Sequence, residues 1–84
     1  MRELTKVEGF KKGDKIKMIE LAPISNKGNI ETHEFTSVMD ITRVNAKTYT
    51  FTYIEGPYKG SGAKWIKGYD LTQVKDRKYY LMEG

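Results

Sequence analysis

Cysteine is absent from this 84-residue chain, and histidine and tryptophan occur once each. Without cysteine the chain can form no disulfide framework and offers no thiolate nucleophile. One histidine cannot supply the four nitrogen or sulfur ligands of a structural zinc site. These shortages exclude a disulfide-stapled scaffold and a structural zinc protein. We therefore expect a cytoplasmic protein with no metal and no other cofactor.

Long apolar runs are missing as well, because no segment approaches the ~20 residues that a membrane span requires. The first fifteen residues alternate charge and contain no apolar core of a signal peptide, so neither a span nor a signal peptide is expected. The length predicts a single domain over residues 1–84. A domain of this size buries roughly 60–65% of the surface of its unfolded chain, which leaves little material for a deep catalytic cleft.

Residues that could perform catalysis are poorly arranged. Ser61 lies between two glycines, but the only imidazole is His33 and the G-x-S-x-G context of an activated serine is missing. Eleven acidic residues are present, and nothing marks two of them as a catalytic pair. The cluster of Glu31, His33 and Glu34 is interpreted as the solvated start of a strand. The sequence thus favours a binding protein over an enzyme.

The net charge of +4 is unevenly distributed. Residues 1–42 contain seven basic and seven acidic side chains, whereas residues 43–84 contain eight basic and four acidic ones. All the excess positive charge lies in the second half. This distribution favours an anionic partner such as nucleic acid, a nucleotide or an acidic protein, although a solubilising lysine-rich surface is the simpler explanation.

Alternating patterns predict an all-β protein. "EFTSVMDITRV" (residues 34–44) and "KTYTFTYI" (residues 47–54) read as a hairpin, and the second run alternates threonine with aromatic residues. Asn45 and Ala46 are expected to form its two-residue turn, because asparagine tolerates a positive φ. From this pattern we expect Ile16, Val38, Ile41, Tyr49 and Phe51 to be buried.

The remaining elements are shorter. The sequence predicts a strand at Asp14–Ala22 with a bulge at Met18–Ile19, a loop at Pro23–Asn29, a strand at Ala63–Lys67, a helical turn after Gly68 capped by Asp70 or Thr72, and a strand at Lys78–Met82. About five short strands and one helical turn predict a small barrel or a strongly bent antiparallel sheet.

A family resemblance rests on "FKKGDKIKMI" (residues 10–19). This segment resembles the opening of SH3-like small β-barrels of the KOW and translation-protein type, in which a charged turn and Gly-Asp precede the first strand. The later order of a long central hairpin, a short strand, a helical turn and a closing strand is similar too. The resemblance implies an SH3-like barrel fold. The short lysine-rich chain is also similar in style to accessory proteins of bacteriophages.

The segment "GPYKGSGAKW" (residues 56–65) is the candidate ligand site. Glycines allow backbone N–H groups to converge on an anion, lysines add positive charge, and a tyrosine or tryptophan ring offers a face for stacking a base. The ligand-binding residues that we predict are Tyr58, Lys59, Gly60, Ser61, Gly62, Lys64 and Trp65, flanked by Arg43, Lys47 and Lys67.

Two structural alternatives stay open. The segment could be a plain connection whose Trp65 enters the core. The ring face of Tyr49, Phe51 and Tyr53 could point outward as a stacking platform, but threonines suit the wet side of a strand and aromatics the dry side, which favours an inward face.

The function that we expect is non-enzymatic binding of a phosphorylated partner, either nucleic acid or a free nucleotide. One alternative is a nucleotide-sequestering protein with a pocket between subunits, and another is a protein-binding inhibitor of a host enzyme. The terminal "KYYLM" (residues 78–82) and the ten aromatic residues of so small a chain predict a homo-oligomer that uses this strand or its faces.

Overall fold

The computed structural model describes residues 1–82. The elements in chain order are β1 (Arg2–Glu3), β2 (Lys15–Asn26), β3 (Asn29–Val44), β4 (Thr48–Glu55), β5 (Gly62–Ile66), a 3-10 turn (Leu71–Gln73) and β6 (Arg77–Met82). The strands form one open antiparallel sheet in the order β1-β6-β2-β3-β4-β5. The all-β class is confirmed. The described part of the chain has six strands instead of about five, because the short β1 pairs with β6.

The central hairpin of β3 and β4 forms as predicted, but its turn is displaced by one residue. The amide of Asn45 donates to the carbonyl of Thr48 at 2.8 Å, which makes Ala46 and Lys47 the turn residues. Asn45 does not adopt a positive φ. Its side-chain amide instead donates to the hydroxyl oxygens of Thr48 and Thr50 at 2.9 and 3.0 Å. The expected Asn45–Ala46 turn is therefore wrong.

The expected loop at Pro23–Asn29 is also wrong, because β2 and β3 continue through it as a long arm. Asn26 pairs with Asn29 across a turn of two residues, Lys27 and Gly28. Both turn residues have positive φ, 51° and 82°, as the tight turns favoured in hairpins require. With this arm, the molecule extends 47 Å along its longest axis, against 25 and 23 Å along the other two axes.

Pro23 fits within the arm because its nitrogen lies on the side of β2 that has no neighbour. The amide of Leu21 donates towards β6, to the carbonyl of Asp76 at 2.8 Å. Alternation along the strand points the nitrogen of Pro23 in the same direction, where β6 no longer runs, since its pairing with β2 stops at Glu20. A proline at such an edge position removes no ladder hydrogen bond.

The predicted bulge at Met18–Ile19 is absent. The register between β2 and β3 is continuous from Lys15 to Asn26, and the irregularities occur between β3 and β4 instead. Consecutive apolar residues occur here because neighbouring side chains of β2 point to opposite faces, and each face has apolar surroundings at this position. Met18 is buried in the core, and Ile19 lies in a groove on the opposite face.

The core lies on one face of the sheet and is closed by residues from the chain start. All five residues expected to be buried are buried, although Val38 lies outside the main cluster. That cluster comprises Leu4, Val7, Phe10, Ile16, Met18, Met39, Ile41, Tyr49, Phe51, Leu71 and Tyr79.

The N-terminal segment bridges the gap between β6 and the chain that follows β5. On one side the amide of Leu4 donates to the carbonyl of Tyr79 at 2.8 Å. On the other side the amide of Leu71 donates to the carbonyl of Thr5 at 2.9 Å, and Val7 bonds to Gly68 and Tyr69. These bonds hold β5 and β6 near each other without pairing them. We call the space between them the seam.

The end of the chain follows the expected order. The strands expected at Ala63–Lys67 and Lys78–Met82 are displaced by one residue at most. The carboxylate of Asp70 accepts a hydrogen bond from the amide of Thr72 at 2.9 Å, so Asp70 caps the 3-10 turn as predicted.

A cluster around Glu20 ties together three distant parts of the chain. The hydroxyl of Tyr58 donates to its carboxylate at 2.7 Å, and Arg77 donates from Nε at 2.9 Å, with Nη2 at 2.7 Å. The hydrogen bond from Tyr58 holds the pKa of Glu20 below its usual 4.5. The hydrogen bond and the positive charge of Arg77 act in the same direction, whereas burial opposes the shift. The same bond raises the pKa of Tyr58. We call these three residues the Glu20 clamp.

Replacing Phe51 by alanine should destabilise the protein strongly. Its ring contacts the rings of Tyr53 and Trp65 at centroid distances of 5.4 and 5.6 Å, and its removal leaves a cavity in a small core. We expect a loss of about 3–5 kcal/mol, measured by urea unfolding. Thr52→Ala, on the outer face of the same strand, is the control and should stay within ~0.5 kcal/mol. A Phe51→Ala protein with unchanged stability would place this ring outside the core.

The Glu20 clamp should make stability depend on pH in the acid range. Because the pKa of Glu20 is lower in the folded protein, its contribution is complete above about pH 4.5 and is lost as the pH falls further. Glu20→Gln should cost about 1.5 kcal/mol at pH 7 and flatten the fall in unfolding free energy below pH 4.5.

The matched control for the clamp is Glu31→Gln, which removes an exposed carboxylate on the arm that lies 3.1 Å from Nε2 of His33. It should leave both the stability at pH 7 and the acid profile close to wild type. If denaturation curves from pH 2.5 to 7 coincide for wild type and Glu20→Gln, the clamp contributes nothing.

Candidate functional site

The loop between β4 and β5 uses its own amides. The amide of Lys59 donates to the carbonyl of Gly56 at 3.2 Å, that of Gly60 to Tyr53 at 2.9 Å, and that of Ser61 to Tyr58 at 2.9 Å. These N–H groups do not converge on a point outside the protein. Of the residues predicted to contact phosphate, Lys59, Gly60 and Ser61 therefore have no free amide donors in this conformation. The exposed side chains of Lys59 and Lys64 still supply positive charge.

The glycines at both ends of the loop serve packing. A Cβ at Gly56 would lie 2.6 Å from the carbonyl oxygen of Thr36, and a Cβ at Gly62 would lie 2.8 Å from that of Phe51. Gly56 also has a φ of 101°. Close approach of backbones explains these two residues without a ligand.

The two candidate stacking rings both contact the protein. Tyr58 lies against Tyr53, with ring centroids 5.2 Å apart, and its hydroxyl is held in the Glu20 clamp. Trp65 is half-buried, and its ring lies 5.1 Å from that of Tyr79 and 6.1 Å from that of Phe10. Trp65 thus packs on the core with one side and remains partly open to solvent on the other.

The aromatic residues of β4 face inward. Tyr49 and Phe51 are buried, and Tyr53 packs against the core cluster. The threonines of the same strand lie on the opposite face. The interpretation favoured by alternation is confirmed, and an outward platform formed by these three rings does not exist.

Cations meet on the outer face of β3, β4 and β5. Arg43 pairs in register with Thr50, and Thr50 pairs with Lys64, so these three residues lie in a row across three strands. Directly opposed residues of a sheet share a face, and both cations are exposed. We call Arg43, Thr50 and Lys64 the basic row. Further positive charge comes from Lys47 in the β3–β4 turn and from Lys59 in the loop, whereas Lys67 follows Trp65 and Ile66 on β5 and lies towards the inner face.

Little negative charge lies nearby. Residues 43–67 contain five cations and one acid, Glu55. Asp40, the next acid along β3, is paired with Lys15 at 3.0 Å. The ammonium of Lys67 lies 5.1 Å from the centroid of the ring of Tyr49, a core residue, so Lys67 lies at the margin of the inner face and not beside Arg43 and Lys64. The outer face around the basic row therefore has an excess of positive charge from Arg43 and Lys64.

A groove adjoins the basic row at the seam. Its volume is about 370 Å³, and it is lined by Lys64, Trp65, Ile66, Tyr69, Leu71, Val74, Arg77 and Tyr79. The sequence predicted Lys64 and Trp65 but not Tyr69 or Arg77. Nothing in the local sequence could have indicated them, because the groove exists only where β5 and β6 approach without pairing.

Among residues 1–82 there is no group of three or more histidine, cysteine or carboxylate side chains that could hold a metal ion. No helix in this part of the chain has the length and apolar character needed to cross a membrane.

Comparison of the chain with protein-family models, with curated proteins and with solved structures gives no significant match. The function has to be inferred from the arrangement of the residues themselves.

Proposed function

We propose that this protein binds nucleic acid without chemical turnover, through the basic row on the outer face of β3, β4 and β5. The observation that supports the proposal is the register of Arg43, Thr50 and Lys64 across three strands, in a stretch of five cations and one acid. Neutralising phosphates with such side chains releases counterions and provides affinity that does not depend on sequence. A nucleic-acid ligand also implies a cytoplasmic site of action.

The distribution of the cations favours a polymer over a free nucleotide. Arg43 and Lys64 are separated by two strand spacings, about 10 Å, which suits successive phosphates better than one compact ligand. A sequestered nucleotide needs an enclosed pocket with convergent polar groups. The amides of Lys59, Gly60 and Ser61 are engaged with the carbonyls of Gly56, Tyr53 and Tyr58, so they cannot converge on such a ligand. We therefore favour nucleic acid over the nucleotide alternative.

We infer that the fold is of the SH3-like type that the segment Phe10–Ile19 resembles. The order of a central hairpin, the short β5, a 3-10 turn and the closing β6 supports this inference. The proposed activity nevertheless depends on the basic row and not on the fold, since one small barrel serves many functions.

Charge reversal in the basic row should weaken binding. Arg43→Glu and Lys64→Glu should each reduce affinity for a fluorescent single-stranded oligonucleotide by about tenfold or more at low salt. Each should also reduce the slope of log affinity against log salt by roughly 0.7. Lys59→Glu tests whether the loop takes part. Fluorescence anisotropy between 25 and 200 mM salt measures all three.

Lys27→Glu is the matched control, because it changes the net charge equally but lies at the tip of the arm. It should bind nearly as wild type does. Equal losses in the control and in the row variants would show only a response to net charge, and the proposed site would be wrong. Tight, salt-insensitive binding of a nucleotide by calorimetry would favour the nucleotide alternative.

We also infer that a second copy of the chain covers the outer face of β2, β3 and β6. An apolar groove of about 460 Å³ lies there, with Ile19, Leu21 and Tyr80 among its lining residues. Leu21 is 45% exposed and Ile30, on the arm, is 79% exposed. Lys75 and Lys78 line this groove together with the acids Glu34 and Asp76. In a two-fold contact the apolar side chains of each copy would cover those of the other, and charges of both signs at the rim would face each other across the contact.

Leu21→Glu should dissociate such a dimer, because it places a charge within the apolar contact. We expect light scattering to give a dimer mass for wild type and a monomer mass for the variant. Lys12→Glu, on the turn before β2, is the control and should remain dimeric. A monomer mass for wild type at millimolar concentration would overturn the inference without affecting the basic row.

A further inference from the structure

The seam groove and the basic row share Lys64. In the β4–β5 ladder the amide of Tyr53 donates to the carbonyl of Ser61, and that of Lys67 donates to the carbonyl of Lys47. Bonded pairs alternate along an antiparallel ladder. The amides of Gly62 and Lys64 therefore point away from β4, towards the seam.

Aromatic surface lines this side of β5. Trp65 is half-buried, Tyr69 is 45% exposed, and both border the groove together with Ile66. The guanidinium of Arg77, a further lining residue, is bound by Glu20. Lys64 is thus the exposed cation at the mouth of a groove whose walls are largely aromatic and aliphatic.

We propose that a single-stranded segment of nucleic acid crosses β3, β4 and β5 with its phosphates on the basic row, and places a base beyond β5 in the seam groove, against Trp65 and Tyr69. This inference rests on the proposed function and adds the class of nucleic acid and the place where it is read. The bases of a duplex are stacked and paired, so a duplex can offer only its backbone, whereas an unpaired base can turn onto a ring.

Trp65 is the only tryptophan of the chain, so its fluorescence reports directly on the groove. The protein is titrated with a single-stranded DNA 12-mer, with the same sequence as a duplex, and with an abasic 12-mer that keeps the phosphates but has no bases. We expect quenching by the single strand and little change with the other two. The affinity of the protein for the single strand should exceed its affinity for the abasic strand by roughly 5- to 150-fold, the equivalent of about 1–3 kcal/mol of stacking.

Tyr69→Leu should reduce this preference for single-stranded over abasic DNA, since it removes one ring from the groove while keeping apolar bulk. Phe35→Leu is the matched control, because it also removes a ring but Phe35 lies on β3 and does not line the groove. It should retain the preference. Equal effects of the two substitutions would count against a base in the groove.

Three outcomes separate this inference from the proposed function. If duplex, abasic and single-stranded DNA bind equally and the fluorescence does not change, the groove is not a base site, although charge-driven binding stands. If none of them binds at 25 mM salt, the proposed function itself fails. Quenching by poly-glutamate as strong as that by the oligonucleotide would overturn the inference in favour of an acidic peptide paired along β5.

Discussion

The division of β4 into a dry face and a wet face is the constraint on which the structure depends. Tyr49 and Phe51 enter the core, and the hydroxyl of Tyr49 accepts a hydrogen bond from the amide of Phe10 at 3.3 Å, which ties the strand to the N-terminal segment. Because side chains alternate along a strand, burying these rings forces Thr50 outward. Its register partners on β3 and β5 are then Arg43 and Lys64. Core packing thus places the two cations in register on either side of Thr50, and no further interaction is needed to form the basic row.

Incomplete closure of the sheet creates the second part of the site. A fully closed barrel would pair β5 with β6 and leave no free edge. Here the segment from Leu4 to Val7 holds the two strands near each other through bonds to Tyr79 on one side and to Tyr69 and Leu71 on the other. This segment covers the core at the seam, while the amides on the outer edge of β5 form no hydrogen bonds with β6. The groove beside Trp65 follows from that geometry, which lets one ring serve the core and still contact solvent.

Local sequence patterns predicted a strand well where the burial of one of its faces was enough to produce the pattern. The threonine–aromatic alternation predicted β4, its buried rings and the absence of an aromatic platform. The arm was missed because "PISNKGN" has the composition of a loop, and because Pro23 is compatible with a strand only where β6 is absent, which no local window reveals. The Glu20 clamp joins residues 38 and 57 positions apart along the chain, so it too was out of reach. In the candidate site the cations followed from sequence, but the local window did not show that Gly62 is required by the close approach of the backbone of Phe51, or that Gly60 has a positive φ.

If the basic row binds phosphates as proposed, its affinity comes mainly from side chains, because the amides of Lys59, Gly60 and Ser61 are engaged internally. Lysine ammonium groups attract phosphate strongly but impose little geometry, because they are compact charges on flexible stems. Direction has to come from neutral groups between them. The amide of Asn45 donates to the hydroxyl oxygens of both Thr48 and Thr50. A hydroxyl that accepts one hydrogen bond keeps its own hydrogen for another. Asn45 therefore leaves the hydroxyl hydrogens of Thr48 and Thr50 free to donate outward, and that of Thr50 lies in the row between Arg43 and Lys64. If the proposed binding of phosphates holds, the turn that fixes the hairpin also orients a neutral donor between the two cations.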